Sequence, residues 1–311
     1  MEYRQLGKTS LKLSRVGYGA SPLGGVFRNI SEEDGIKTVH RALELGINYI
    51  DVSPYYGATL AEKVLGKALR GVAREKYVLS TKAGRYGPDF ADFDFSADRI
   101  KSSLEESCNR LGVDNVDILF LHDVEFASMQ QIFDEALPCL NALKQDGIVK
   151  YIGVTGYPLK IFSDTVAAFD IDCVLSYCRY GLHDTSLQGI LPTLKKAGVG
   201  VINASPTGMG LLTKRGAPSW HPASPSLQDA SKQAVALCLE HGVDPTEISL
   251  QFAMDHEDIS STLVGTASPV NIEKNVAWAK KQMNSSLAHE LRSLFADLTC
   301  TWPSGYPENQ D

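Results

Sequence analysis

The sequence predicts an α/β protein folded as one (β/α)8 TIM barrel over residues 1–311, with an N-terminal β-hairpin and extended loops on the C-terminal face. Three observations carry that expectation. Eight short apolar runs rich in Val, Ile, Leu and Tyr alternate with stretches of helical periodicity, the pattern of a parallel sheet covered on its faces. Eight such units in 311 residues are what closes a barrel at this chain length. No G-x-G-x-x-G follows the first run, where an open dinucleotide-binding sheet carries it; residues 17–25 read GYGASPLGG instead.

The elements follow in order. YRQLGKTSLKLSRVG predicts a hairpin turning at Gly7-Lys8-Thr9 and plugging the barrel floor. The eight buried-type strands are RVGYGA (15–20), INYIDV (47–52), YVLSTKA (77–83), VDILFLH (116–122), VKYIGVTG (149–156), IDCVLSYC (171–178), GVGVINAS (198–205) and ISSTLVGT (259–266). Between the first two, residues 31–46 begin with a serine cap and early acids and end in glycine, as a helix does. Residues 96–112 repeat that grammar. The stretch 206–226 is rich in Pro, Gly and Ser and reads as an enlarged loop after the seventh strand. A doubly wound open sheet is the alternative architecture. Nothing repeats, and no segment separates as a second domain.

Composition excludes several function classes. A net charge of -7 lacks the basic surface of a nucleic-acid binder. No run of eighteen apolar residues predicts a membrane span, and the N-terminus has no signal-peptide core. The cysteines Cys108, Cys139, Cys173, Cys178, Cys238 and Cys300 show no C-x-x-C pairing, so they are expected reduced, in the cytoplasm. His40, His183, His221, His241, His256 and His289 have no ligand spacing, and no metal is assigned. A monomer or weak homodimer is expected.

In such a barrel the active site lies at the C-terminal strand ends. The second strand ends in Asp51, the third in Thr81-Lys82, the fourth in His122-Asp123 and the fifth in Thr155-Gly156. Each alone reads equally well as a structural ion pair; three converging beside the tyrosines of SPYYG read as chemistry. A free tyrosine has a pKa near ~10 and is a poor proton shuttle. An ammonium held in place by a buried carboxylate stabilises the phenolate. Asp51 and Lys82 would be that pair and Tyr56 the tuned group, with His122 orienting the reacting oxygen.

DVSPYYG, with downstream EKVLG, STK, LH, IGVTG and ASP-x-G, resembles the aldo-keto reductase superfamily over nearly the whole chain. Asp51, Tyr56, Lys82 and His122 match that family's ordered set residue by residue. The resemblance implies a nicotinamide cofactor held without a Rossmann fold, and hydride transfer with Tyr56 as general acid/base. Tyr55, one residue out of register, becomes a pocket wall.

Departures from the family pattern refine the expectation. Thr155-Gly156 stand where many members have Ser-Asn, Tyr177 where they have Gln, and Ala204 where an aromatic stacks on the nicotinamide. Tyr177 is the expected replacement for that stack. Ser205, Pro206 and Gly208 would join Thr155, Gly156 and Tyr177 around the cofactor. Gly265, Thr266, Asn271, Lys274 and Asn275 complete the set. NADP-preferring relatives carry Lys and Arg at the positions of Gly265 and Asn271. A 2′-phosphate without cations is poorly held, so NAD is expected over NADP.

LHDVEF, SYCRYGL and VINASPTGMGLL resemble the plant sugar-dehydrogenase branch. That implies oxidation of an aldose at C1, L-galactose to L-galactono-1,4-lactone on the route to ascorbate, with L-fucose and D-arabinose as related sugars. Tyr55, His122, Phe126, Arg179 and Trp302 are the expected sugar contacts, with the loop 86–95. For Arg179 a salt bridge to a neighbouring loop is the competing reading. An NADPH-dependent carbonyl or pyridoxal reductase is the alternative enzyme. A nucleotide-sensing regulatory subunit is the non-enzymatic one, and the intact set of four argues against it.

Overall fold

The structure, a computed structural model, describes residues 1–26 and 29–311. The hairpin pairs β1 (Tyr3–Gln5) antiparallel to β2 (Lys12–Ser14), with Tyr3 opposite Ser14. The eight apolar runs form β3 (Val16–Gly19), β4 (Tyr49–Asp51), β5 (Val78–Ala83), β6 (Ile118–Leu121), β7 (Tyr151–Gly156), β8 (Cys173–Tyr177), β9 (Gly200–Ala204) and β10 (Ser261–Gly265). Each lies within the run that predicts it. All are parallel, and the sheet closes because β10 pairs with β3, Thr262 opposite Val16. Closure removes the two free edges of an open doubly wound sheet, so that alternative falls.

A helix follows every barrel strand, from Glu32–Glu44 after β3 to Pro269–Ala279 after β10. The first is capped as its sequence predicts: the Ser31 side chain accepts from the Asp34 N–H, with Glu32, Glu33 and Asp34 in the first turn. Ser96 caps Ala97–Leu111 in the same way, and Gly112 ends that helix in the left-handed conformation. Residues 206–224 carry no α-helix, and the next helix begins at Pro225.

Two apolar layers fix the barrel. Outward-facing strand residues such as Ile50, Leu79, Leu119 and Val154 pack with helix residues such as Val39, Leu65 and Leu140. Inside, Tyr49, Ile118, Phe120, Cys173, Leu175, Ile202 and Leu263 form a separate core with Leu6 and Leu13 of the hairpin. The hairpin therefore fills the floor. Its turn needs Gly7, which has φ +50 and sits so close to the start of β9 that a Cβ would lie 2.3 Å from the Gly200 nitrogen. With the floor filled, the polar residues at the opposite, C-terminal strand ends are left to line the open rim.

Candidate active site

Asp51 ends β4 and Lys82 lies on β5, which pair side by side. Lys82 is 1% exposed and Asp51 2% exposed. Lys82 Nζ donates to Asp51 Oδ2 at 2.6 Å, to the Val52 carbonyl at 2.9 Å and to the Tyr56 hydroxyl at 3.2 Å. All three ammonium donors are thereby used. Ser80 donates to the other Asp51 oxygen at 2.7 Å. Tyr56, on the loop after β4, is only partly buried, so its phenol oxygen is where this dry chain of bonds meets the rim.

Burial works against the Lys82 charge, but Asp51 and then the Tyr56 oxygen outweigh it and hold the ammonium above its usual pKa. For Tyr56, burial is the largest influence and raises its pKa; Lys82 pulls it down only in part. The tuning expected of Lys82 is thus present and smaller than the effect of burial.

His122 follows β6, with its ring edge-on to Tyr56 at 5.7 Å and to Tyr55 at 5.9 Å. Its Nδ1 lies 3.0 Å from the Ser53 hydroxyl. The Ser53 hydroxyl accepts from the Tyr55 N–H and has its own proton to give to Nδ1; in that arrangement the imidazole proton stands on Nε2. Burial foremost, with Lys82 and Arg85, lowers the His122 pKa to about 3 against the opposing pull of Asp123. The ring is therefore a neutral hydrogen-bond donor at neutral pH.

The expected cofactor residues lie along the rim from β7 to β10. Because β9 and β10 are neighbours, Leu263 opposite Ala204, the Ser205–Gly208 loop adjoins the segment Gly265–Asn275. Ser205 has φ +57 and Gly208 φ +60, a tightly turned loop. Gly265, Asn271 and Lys274 are exposed, whereas Thr266 and Asn275 are buried. The helix Pro269–Ala279 starts here, capped by Ser268, and a helix N-terminus favours anions. Neutral amide and hydroxyl groups, one lysine and that helix end fit the ribose and phosphates of a nicotinamide nucleotide.

Thr155 and Gly156 are differently occupied from the contact expected of them. The Thr155 hydroxyl accepts from the Asp123 N–H at 3.0 Å and donates to Asp123 Oδ1 at 3.1 Å. At Gly156 a Cβ would meet Ile161 Cδ1 at 2.2 Å and Glu125 Oε2 at 2.6 Å, so its missing side chain makes room for Glu125. Tyr177 is partly exposed beside Tyr157, ring centroids 5.4 Å apart. Pro206 is buried beneath its loop.

Among the expected sugar contacts, Tyr55 and Phe126 are partly exposed, whereas Arg179 and Trp302 are buried. Phe126 stacks on Phe93 at 4.7 Å and tilts against Phe90, which meets Tyr306 of the tail. Loop 86–95 and the tail thus build one aromatic wall. Arg179, 4% exposed, donates instead to Asp184, Ser186, the Tyr157 carbonyl and Asp311. The competing salt-bridge reading is the one the structure bears out, and Arg179 anchors the tail. Trp302 is buried, stacked on Tyr157 at 4.7 Å.

Sequence reading gave no role to four residues beside the site: Ser53, Arg85, Asp123, which it placed only at a strand end, and Glu125. HDVEF contains two of them, and two acids after a catalytic-type histidine were the available signal. Among the described residues no group of three His, Cys, Asp or Glu could hold a metal, and no helix is long and apolar enough to cross a membrane.

Comparison with known proteins agrees with this geometry. A model of the Aldo/keto reductase family matches residues 15–295. The chain is 48% identical over 319 residues to the L-galactose dehydrogenase of Arabidopsis thaliana, spanning 99% of each. It is 29% identical over 308 residues to the D-threo-aldose 1-dehydrogenase of Pseudomonas sp, covering 90% of this chain and 94% of that one. Among solved structures, the holo form of an aldo-keto reductase from Bacillus halodurans shares the fold at a TM-score of 0.81, with 25% identity over 100% of both chains.

Proposed function

The chain belongs to the Aldo/keto reductase family and is an oxidoreductase acting on CH–OH groups; on that premise we propose that it oxidises an aldose at C1 with NAD, L-galactose foremost, to the galactonolactone. The observation that carries this reading is one reachable phenol fed by a buried Asp51–Lys82 pair, in a chain alike over its full length to an L-galactose dehydrogenase.

In this oxidation C1 loses a hydride and its hydroxyl loses a proton, leaving the lactone carbonyl. NAD, when bound, supplies the acceptor for the hydride. The Tyr56 oxygen takes the hydroxyl proton, and Lys82, fixed by Asp51, stabilises the negative charge that oxygen must carry beforehand. Neutral His122 donates from Nε2 to the sugar oxygen and holds it toward Tyr56. Ser205, Gly208, Thr266, Asn271, Lys274 and Asn275 would hold the nucleotide, with Tyr177 beside its nicotinamide.

The pH dependence follows from these shifts. Tyr56 is raised, so the base form grows only on the alkaline side, and oxidation speeds up as pH rises above neutral. His122, at about 3, adds no inflection in the range where histidines ordinarily titrate. A kcat/KM profile for L-galactose with a limb at ordinary histidine pH would overturn the neutral-donor role. Strong turnover only with NADPH and simple aldehydes would overturn the dehydrogenase reading.

The preference for NAD rests on neutral Gly265 and Asn271. Gly265→Lys with Asn271→Arg is expected to raise kcat/KM for NADP about 10- to 150-fold, the worth of charge-assisted hydrogen bonds. An unchanged NAD to NADP ratio would misplace the phosphate site.

A further inference from the structure

Beside the proton-moving set lies a second ion pair that the mechanism above does not use. Arg85, past the end of β5, pairs through Nη1 with Asp123 Oδ2. Asp123 follows His122 directly, and the same Oδ2 stands 3.8 Å from His122 Nε2, the atom assigned to hold the sugar oxygen. The guanidinium lies 3.9 Å from the Tyr55 ring centroid, 5.2 Å from Phe93 and 5.6 Å from Phe126. The pair thus sits between the reacting corner and the aromatic wall.

Its construction is specific. Asp123 holds a left-handed backbone, φ +55, a strained conformation for a side-chain-bearing residue that persists where surrounding contacts enforce it. Those contacts are the paired Thr155 hydroxyl and Arg85. A buried ion pair is rarely a net gain in stability over apolar packing. A pocket for a bare carbonyl flanked by phenyl rings has no use for one. A polyhydroxylated ring does: each hydroxyl can donate to a carboxylate and accept from a guanidinium.

We propose that Arg85 and Asp123 are the sugar-reading pair of this site: Asp123 accepts the hydrogen bond of the hydroxyl on the carbon next to the reacting one, and Arg85 donates to the hydroxyl beyond it. An oxygen held at His122 Nε2 brings its neighbour on the adjacent carbon to Asp123 Oδ2. The pair therefore selects a sugar over a simple aldehyde. This assignment rests on the aldose reading.

The test compares L-galactose with 2-deoxy-L-galactose, with NAD as acceptor, in the intact protein and in Asp123→Asn and Arg85→Gln. The unaltered protein is expected to prefer the full sugar about 10- to 150-fold in kcat/KM, the worth of a hydrogen bond to a charged group. Asp123→Asn is expected to bring that preference within about threefold while binding NAD as before, read by nucleotide fluorescence. A preference that survives in Asp123→Asn, with both sugars slowed alike, would overturn the proposal in favour of a structural role. If Asp123→Asn does not fold, Arg85→Gln decides by the same ratio with 2-deoxy and 3-deoxy sugars: collapse toward the 3-deoxy sugar supports the pair, and no change overturns it. Oxidation of both sugars at equal rates by the unaltered protein would sink the proposal alone, whereas no oxidation of either would sink it together with the aldose reading.

Discussion

Asp51 and Glu125, two of the buried carboxylates at this rim, are handled in opposite ways. Asp51, between β4 and β5, has the Lys82 ammonium at 2.6 Å. Glu125, on the loop after β6, forms no ion pair among the described residues: Oε1 accepts from the Tyr157 N–H and the Ser304 hydroxyl, and Oε2 has no hydrogen-bond partner. Burial, reinforced by Asp123, pushes the Glu125 carboxyl up to about 8. Lys82, equally buried, is held charged by its acid. Burial alone does not decide charge; the partner does. On the proposed mechanism the first region carries charge for chemistry, whereas the second holds a proton while it fastens the tail. Tyr306 N–H and Asn309 Nδ2 donate to the Glu125 carbonyl, which leaves the tail's Tyr306 against Phe90.

The largest effect should come from removing the group the first region serves. Tyr56→Phe keeps the ring and the fold and is expected to lower kcat about 10²- to 10⁴-fold, with the NAD dissociation constant unchanged by fluorescence titration. Retained turnover would refute the proton-carrying role. Next, Lys82→Met converts the first region into the second by leaving Asp51 buried without its cation. Unfolding by urea should show a loss of about 3–5 kcal/mol, as for one partner of a buried pair, alongside lost turnover. Unaltered stability would mean that Asp51 finds relief in Ser80 and water alone.

The second region predicts a pH signature. The Glu125 carboxyl is raised from 4.5 to about 8 in the folded chain. A raised acid contributes stability that is fully present below its unfolded pKa and is lost as pH rises toward the folded value. Glu125→Gln, which cannot ionise, escapes that loss. Relative to the unaltered protein, its stability should climb by up to about 1.4 kcal/mol per pH unit between those two values. Urea midpoints across that range check it, and a flat difference would place Glu125 in an ordinary acidic environment.

Much of the first region was legible in the sequence, because it is made of strand ends. β4, β5 and β6 are buried and read as short apolar-rich runs, so the ionisable residues at or near their C-terminal ends, Asp51, Lys82 and His122, point themselves out. Register then chooses between the tyrosines. The second region was not legible, because its contacts join distant segments: Ser304 reaches Glu125 across 179 positions, and Arg179 reaches Asp311 across 132. No local pattern marks such a meeting. Gly156 shows the same limit, since its missing side chain reads as a lost cofactor contact until Glu125 is seen in the space. Arg85 and Asp123 lie 38 positions apart and were hidden for the same reason.

The smallest effect belongs to the boundary between the regions and is the sharpest test of the first. Tyr55 and Tyr56 carry the same phenol, their rings 6.0 Å apart, and each has a cation nearby. The difference is the bond to oxygen. Each cation lies over its ring, Lys82 at 4.8 Å from the Tyr56 centroid and Arg85 at 3.9 Å from that of Tyr55, but Lys82 also donates to the Tyr56 oxygen, where a phenolate charge would form. A cation on the ring face attracts the π-system, phenol or not, so Tyr55→Phe keeps the Arg85 contact. Its kcat should stay within about twofold, with KM rising about 2- to 10-fold if the hydroxyl touches the sugar. If Tyr55→Phe instead abolishes turnover and Tyr56→Phe does not, ammonium contact with the oxygen is not what selects the proton carrier.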